Sequence, residues 1–269
     1  MCKVKTILAI SLGILATSAV FVDTMPSNLP LSNNTFRTGE ELNFKVHYGF
    51  INAAKASFRI DNNLHKQGDK TCYKVEIEGR TIGSVDFFSK VRDKWGSYID
   101  TATMIPEKSY RNIQEGKYDL KEVVWFYQDR GVAVRNVDNV KKEQYNTPKN
   151  VHDIVSGYYY LRQINFEKYN VGDTVKILAF FENKNFDFKL KYLGKTQVKT
   201  DNGKFRAILL SPIMPKNDLF SGENSVKLWM SDDQNKIPLL CKTSTVLGTI
   251  DVDLESYKGL RYPLTSKIN

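Results

Sequence analysis

Residues 42–48 read Leu-Asn-Phe-Lys-Val-His-Tyr, with apolar and polar side chains in strict alternation. Successive side chains of a β-strand point to opposite faces of the sheet, so this period of two predicts a strand with one buried and one solvated face. The same alternation returns at residues 56–60, 186–192 and 250–254. These runs predict a protein built mainly of half-buried strands.

Clusters of turn-forming residues separate the predicted strands. They read Asp61-Asn62-Asn63, Gln67-Gly68-Asp69 and Asp201-Asn202-Gly203. The last cluster predicts a hairpin, because an Asn-Gly pair adopts positive φ angles at little cost. The short spacing leaves no room for crossover helices, so we expect about 12–15 strands that are mostly antiparallel.

One segment, residues 153–164, has a helical instead of an alternating pattern. Asp153 is a suitable N-cap, and Ile154, Tyr158 and Leu161 fall on one helical face. The predicted fold class is therefore mainly β: a large curved antiparallel sheet that forms a roll or an open barrel around one central helix.

The chain begins with the layout of a secretory signal peptide. Lys3 and Lys5 precede an uncharged apolar run, Ile7–Val22, that contains small residues near its end. The run is shorter than the roughly 20 residues of a spanning helix. We expect cleavage between Ala19 and Thr24, no stable transmembrane segment afterwards, and a location in the periplasm or another exported compartment.

These patterns divide the chain around a single β-rich domain with two halves, residues 36–147 and 171–260, that the helix joins. The complete division is a signal peptide at 1–22, a flexible linker at 23–35, the domain at 36–260 and a flexible tail at 261–269.

The charge balance is positive, with 39 Lys and Arg residues against 30 Asp and Glu residues and a net charge of +9. Loss of Lys3 and Lys5 with the signal peptide reduces the net charge to about +7. The basic residues are scattered over strand faces, so we predict no nucleic-acid partner. Simple solubility accounts for the charge, and contact with an anionic lipid or polysaccharide is the alternative.

Two cysteines, Cys72 and Cys241, remain after signal cleavage, and an oxidising compartment permits a disulfide between them. Alternation places Cys72 on the polar face of its strand with Lys74, but Cys241 on an apolar face with Leu239. A disulfide and two free thiols both stay open.

The three histidines, His47, His65 and His152, restrict the chemistry that the chain can perform. The sequence contains no HExxH, CxxC or G-x-S-x-G motif, so we predict no metal, no cofactor and no catalytic triad. We interpret His152 as a surface residue at the start of the helix. Carboxylates are numerous, so a glycan hydrolase with paired carboxylates is the enzyme alternative.

Adjacent aromatic residues are the most suggestive feature, as in Phe87-Phe88 and Trp125-Phe126-Tyr127. One ring of such a pair faces the core, so its neighbour needs a second apolar surface, which a packed layer, a partner or a ligand pocket can supply. The predicted ligand-binding residues are Tyr48, Trp125, Tyr127, Tyr158, Tyr159, Arg162 and Trp229.

Four segments of the sequence occur in a distinctive order and spacing: Phe36–Leu42 leading to Val46–Gly49, Ser97–Asp100 before Pro106, Asp153–Ser156 leading to Tyr159–Arg162, and Trp229–Asp232 with Ile237-Pro238 and Gly248. Together they resemble the exported bacterial family called domain of unknown function 3108. The resemblance implies a periplasmic, mostly antiparallel β protein, and it implies no functional residues.

We therefore predict a non-catalytic exported protein of the cell envelope. We expect it to bind an apolar or amphipathic envelope component, such as a lipid or a glycan, or a partner protein, through the concave face of the sheet. The enzyme alternative requires two carboxylates about 5–9.5 Å apart in an open cleft.

Overall fold

The computed structural model describes residues 33–213, 225–245 and 248–268. The predicted signal peptide at 1–22, and residues 23–32 of the predicted linker, lie outside the described residues.

The described chain forms 15 strands, two α-helices and two short 3-10 helices. The first eight strands are β1 (Glu41–Tyr48), β2 (Ile51–Gln67), β3 (Lys70–Thr81), β4 (Arg92–Asp100), β5 (Pro106–Glu115), β6 (Tyr118–Tyr127), β7 (Val132–Val137) and β8 (Lys141–Asn146). The others are β9 (Thr174–Phe181), β10 (Lys184–Thr200), β11 (Gly203–Pro212), β12 (Val226–Ser231), β13 (Pro238–Thr245), β14 (Gly248–Lys258) and β15 (Lys267–Ile268). The helices are α1 (Gly83–Phe88) and α2 (Ile154–Leu161), with 3-10 turns at Gln128–Arg130 and Phe166–Lys168.

All strands belong to one sheet, which is made of two antiparallel meanders. One meander runs from β1 outward to β8, the other runs from β14 to β9, and β1 pairs with β14 at the centre. The short β15 adds to β11. The predicted fold class, a large antiparallel sheet that curves without closing, is confirmed.

The two edges of the sheet meet along a seam beside β8 and β9. His152 donates its backbone N–H to Leu178 O and accepts from Phe180 N–H, both at 2.8 Å, which makes a parallel bridge to β9. Asn185 Nδ2 donates to Asn146 O at 2.9 Å across the same seam. The sheet is thus barrel-like. Its edge strands β8 and β9 do not pair with each other, and the segment between β8 and α2 joins them instead.

Helix α2 lies inside this curved sheet. Asp153 is its N-cap, as predicted, and its carboxylate accepts from Val155 N–H at 2.8 Å and Ser156 N–H at 3.1 Å. The Ser156 hydroxyl accepts from Asp153 N–H at 3.0 Å, which completes a capping box. Val155 and Tyr159 are buried against side chains of β3, β4 and β5. The concave face therefore packs on the helix of the protein itself.

One predicted turn was wrong. Asp61-Asn62-Asn63 is not a turn between strands, because β2 runs through it with a bulge between Ile60 and Leu64. The Asp61 carboxylate accepts from Asn63 N–H at 2.9 Å, so these residues form a local Asx-type bend within the strand. The helix is also shorter than predicted, and α1 is an additional helix.

The described parts of the expected flexible ends are packed on the sheet. Thr35 and Ser266 are buried, and Arg261 Nη1 donates to Asn33 O at 3.1 Å. We expected flexibility because these segments are polar, but hydrogen bonds such as this one hold them to each other and to the sheet.

Cys72 and Cys241 are both free thiols. Cys72 has the predicted strand parity but is fully buried, opposite Asp100 of β4. Burial raises the pKa of each thiol to about 12. No helix in the described ranges is long and apolar enough to cross a membrane.

Candidate functional site

The predicted binding residue Arg162 is fully buried at the C-terminal end of α2. Its guanidinium donates to both carboxylate oxygens of Glu40, at 2.5 and 2.9 Å, and to Asn235 O at 3.0 and 3.1 Å. It also lies over the rings of Phe36 and Tyr159. Arg162 is therefore saturated by internal partners, and it joins the N-terminal segment, the helix and the β12–β13 loop.

Tyr158 and Tyr159 lie beside Arg162 inside the sheet. Their hydroxyl oxygens are buried and make no well-formed hydrogen bond within the described residues. Burial raises the pKa of both hydroxyls. Between the start of α2 and strands β4–β7 lies a space of about 30 Å³, far below the roughly 300–1,000 Å³ of a small-molecule site. The expected ligand cavity on the concave face is therefore filled by aromatic side chains and the helix.

The other four predicted binding residues lie apart from this interior. Trp125 and Tyr127 are on the outer face of β6, where Lys108 Nζ lies 5.9 Å from the Trp125 ring. Tyr48 is partly exposed at the end of β1, beside Gly248. Trp229 packs against a separate core cluster. The structure does not bring the seven residues into one site.

A different set of aromatic and aliphatic side chains collects at one end of the sheet. The turns β1–β2, β5–β6 and β7–β8, the α1 connection and the end of β11 all lie there. Eight large apolar side chains are exposed at this end, which we call the apolar end: Tyr48, Phe50, Ile51, Phe87, Phe88, Tyr118, Val140 and Ile213.

The side chains at the tips project almost completely into solvent. Phe50 is 97% exposed, Phe87 87%, Phe88 82% and Val140 88%. The opposite end, which we call the polar end, exposes only three large apolar side chains among the described residues: Leu64, Tyr127 and Val171. Its turns are instead polar, as at Gly68-Asp69 and Asp201-Asn202. Since solitary apolar side chains are common on protein surfaces, it is their concentration at one end that marks a binding surface.

Sequence reasoning singled out Phe87-Phe88 as a pair needing a second apolar surface, but it missed Phe50, Tyr118 and Val140. Each of the missed residues lies in or next to a tight turn, where the alternation that identifies strands gives no signal. Apolar residues in turns, where polar residues normally prevail, could have identified them.

The carboxylates Asp93 and Glu115 are neighbours on the inner face near the apolar end. Burial, and then the nearby Glu115 carboxylate, raise the pKa of Asp93 to about 7, against a backbone hydrogen bond from Gln114. Because the two side chains are in hydrogen-bonding contact and Asp93 is buried, the pair is closer than the roughly 5–9.5 Å that glycosidase mechanisms use. This pair does not have the spacing that the enzyme alternative requires.

His152 is buried and is not the surface residue that we expected. Its Nδ1 lies 3.3 Å from Ser156 Oγ, and its ring packs against Tyr160. Ser156 is itself fully buried and serves the capping box, so this Ser–His contact has no route to a substrate. Within the described ranges no group of three or more His, Cys, Asp or Glu side chains could hold a metal ion.

The comparison with protein families gives one match over most of the chain. A family described as "Protein of unknown function (DUF3108)" matches residues 43–255. Parts of three of the segments that carry the resemblance meet around α2, where the Ser97 hydroxyl donates to Asp153 at 2.7 Å and Arg162 binds Glu40. Asn235, which Arg162 also binds, lies between Trp229–Asp232 and Ile237-Pro238 of the fourth segment. No curated protein matches the chain.

Solved structures resemble the chain at low sequence identity, and one of them shows the same fold. A β-barrel-like protein of the domain of unknown function DUF1849 from Brucella abortus is 8% identical, with a TM-score of 0.53, and the match covers 83% of this chain and 99% of that one. A hypothetical protein from Chlamydia trachomatis is 9% identical, with a TM-score of 0.36, over 87% of this chain and 94% of that one.

Proposed function

The chain belongs to the DUF3108 family of unknown function, and from its structure we propose that it is a non-catalytic, exported protein of the cell envelope that binds an amphipathic lipid surface with its apolar end. The observation that carries the proposal is the collection of eight exposed apolar side chains at one end of an otherwise internally packed sheet.

The shape of the apolar end favours a lipid surface as the binding partner. The phenylalanines stand on separate elements, Phe50 on the β1–β2 turn and Phe87 and Phe88 on α1. Exposed aromatic side chains on a turn and a short helix can enter the interface of a bilayer, where aromatic rings are favoured. A protein partner would instead be expected to meet a continuous, closely complementary surface.

The anchoring of α1 supports this role for Phe87 and Phe88. Asp86 accepts from Arg92 Nη1 at 2.7 Å and Nη2 at 3.0 Å, and from the Thr81 hydroxyl at 2.5 Å. The helix is therefore held to β3 and β4 while its two rings remain exposed. Because the helix that carries the two rings is already held in place, lipid binding would cost less conformational entropy.

Export is the second part of the proposal and rests on the basic and apolar pattern of residues 1–22. We expect the protein to fractionate with the periplasm or membranes and to lack those residues, which intact-mass measurement checks. Recovery from the cytosol with residues 1–22 retained would contradict export.

Lipid binding is tested by co-flotation with vesicles of phosphatidylethanolamine and phosphatidylglycerol. The protein is the full-length gene product, purified after any processing in the cell that produces it. The triple variant Phe50→Ser, Phe87→Ser, Phe88→Ser should lose most of its binding. The matched control is Leu64→Ser, Tyr127→Ser, Val171→Ser, which removes three exposed apolar side chains from the polar end and should bind as the parent does. Equal losses in both variants would contradict the proposal.

A further inference from the structure

A groove of about 710 Å³ lies on the outer face of the sheet, away from α2 and its aromatic contacts. That volume is in the range of small-molecule binding sites. Bulges between Asn43 and Phe44, and between Val46 and His47, interrupt the regular pairing of β1 with its two neighbours. Bulges increase the local bend of a sheet, which explains why an outer face is concave here.

The floor of the groove is a row of polar side chains, one from each of six neighbouring strands, that lie opposite one another in the sheet. Its members, from β14 to β5, are Ser256, Asn43, Ser57, Glu78, Lys94 and Asn112. Ser57 is buried although it lies on the outer face, because longer side chains surround it. Short hydroxyl and amide groups at the bottom of a groove suit the hydroxyl groups of a saccharide, with which they can exchange hydrogen bonds.

The next row toward the apolar end consists of four cations on adjacent strands. Lys45 pairs with Lys55, Lys55 with Arg80, and Arg80 with Arg92. Like charges directly opposite each other destabilise a sheet. A row of four cations does not help the protein to fold, and it therefore indicates a role in binding.

Acidic side chains pair with three members of this cationic row but not with Arg80. Lys45 Nζ lies 3.5 Å from both Asp201 and Glu255, Lys55 Nζ lies 3.3 Å from Glu255, and Arg92 binds Asp86. Arg80, between them, is exposed and forms no ion pair among the described residues. The positive charge is therefore concentrated at Arg80, which lines the groove together with Lys55 and Arg92.

We propose that this groove binds an acidic glycan, a saccharide chain that carries carboxylate or phosphate groups. The anionic group lies on Arg80 and Lys55, where a guanidinium can make charge-assisted, bidentate hydrogen bonds. The sugar hydroxyls lie along the row of Asn43, Ser57 and Asn112. The proposal involves other residues than the apolar end and does not depend on lipid binding.

The test is isothermal titration of the full protein with a short oligogalacturonate, with neutral maltohexaose and inorganic phosphate as comparison probes. We expect the oligogalacturonate to bind at least about tenfold more tightly than either, because only it offers both the charge and the hydroxyl groups. Equal affinity for maltohexaose, or no binding of oligogalacturonate, would overturn the proposal.

Three variants separate a site from general attraction to a positive protein. Lys55→Gln with Arg80→Gln should weaken binding about tenfold or more. Lys199→Gln with Lys204→Gln removes the same charge from an exposed cross-strand pair on β10 and β11 and should change affinity less than about twofold. Glu78→Gln should tighten binding, because it removes a negative charge from the floor.

Equal weakening by the two double variants would show non-specific attraction and would overturn the proposed site.

A parallel titration with phosphatidylglycerol vesicles shows whether the anionic group that binds the groove belongs to a glycan or to a lipid headgroup. If the Lys55 and Arg80 variant lost only vesicle binding, the groove would be a lipid headgroup site and the glycan assignment would be wrong. The apolar-end triple variant should keep its affinity for oligogalacturonate, so failure of the lipid proposal leaves this one testable.

Discussion

Arg162 and Glu40 form a bidentate ion pair in which neither side chain has any exposure to solvent. Buried charges are costly unless they are paired and fully hydrogen-bonded. Here Asn235 O and Thr35 O accept further hydrogen bonds from Nε and Nη2 of the guanidinium, at 3.0–3.3 Å. The pair thus holds together the place where the chain enters β1 and leaves α2.

Removing Arg162 should strongly destabilise the fold. We expect Arg162→Ala to lower the free energy of unfolding by about 3–5 kcal/mol, because it leaves the Glu40 carboxylate buried without a counter-ion. Urea denaturation followed by circular dichroism measures the change. If the loss prevents purification, the milder Arg162→Lys supplies the measurement.

The control is an exposed ion pair of the same sheet. Lys176 Nζ and Asp187 lie 2.8 Å apart on β9 and β10, with about half of each side chain in solvent. Lys176→Ala should cost less than about 1 kcal/mol. A comparable cost for both variants would contradict the structural importance of the buried pair.

Two glycines should respond to alanine in opposite ways. A Cβ at Gly157, in α2, would make ordinary contacts with Ile177 Cγ2 at 3.5 Å and His152 Cβ at 3.6 Å. Gly157→Ala should therefore stabilise the protein by about 0.5–1 kcal/mol through helix propensity. At Gly96 on β4 a Cβ would overlap the ring of Tyr110, and Gly96→Ala should cost about 1–3 kcal/mol. Urea denaturation of both variants checks the signs.

Strand content, the turn at 67–69, the hairpin at Asp201-Asn202-Gly203 and the helix cap at Asp153 could be predicted, because each depends on neighbours in sequence. The order of the strands could not, since the pairing of β1 with β14 joins residues more than 200 positions apart. The same limit applies to function. Arg162 was predicted as a ligand-binding residue, but its guanidinium binds Glu40 and Asn235, which no local pattern of the sequence connects to it.

Both thiols should be unreactive in the folded protein. Burial raises the pKa of Cys72 and of Cys241 to about 12, so almost no thiolate is present at neutral pH, and the thiolate is the reactive form. We expect the peptides containing Cys72 and Cys241 to stay unlabelled by iodoacetamide in native buffer and to be labelled fully in urea, as read by mass spectrometry. Rapid native labelling, or a recovered disulfide between them, would contradict the packing around both residues.

The imidazole of His152 should make folding stability depend on pH in the acidic range. Burial lowers its pKa to about 3, whereas an exposed histidine of the unfolded chain titrates near 6.5. Between these values the unfolded chain binds a proton that the folded protein does not, so this contribution to stability is complete above about pH 6.5 and is lost as the pH falls. The expected slope is about 1.4 kcal/mol per pH unit.

Urea denaturation of the parent and of His152→Gln at pH 8, 6, 5 and 4 tests this. At pH 8 the variant should be less stable than the parent, because it loses the packing of the imidazole on Tyr160. As the pH falls to 4, the stability of the variant should approach or exceed that of the parent. Carboxylates such as Asp93 titrate in both proteins and cancel in the difference. A difference that stayed constant from pH 8 to pH 4 would show that His152 is protonated in the folded state and not buried as described.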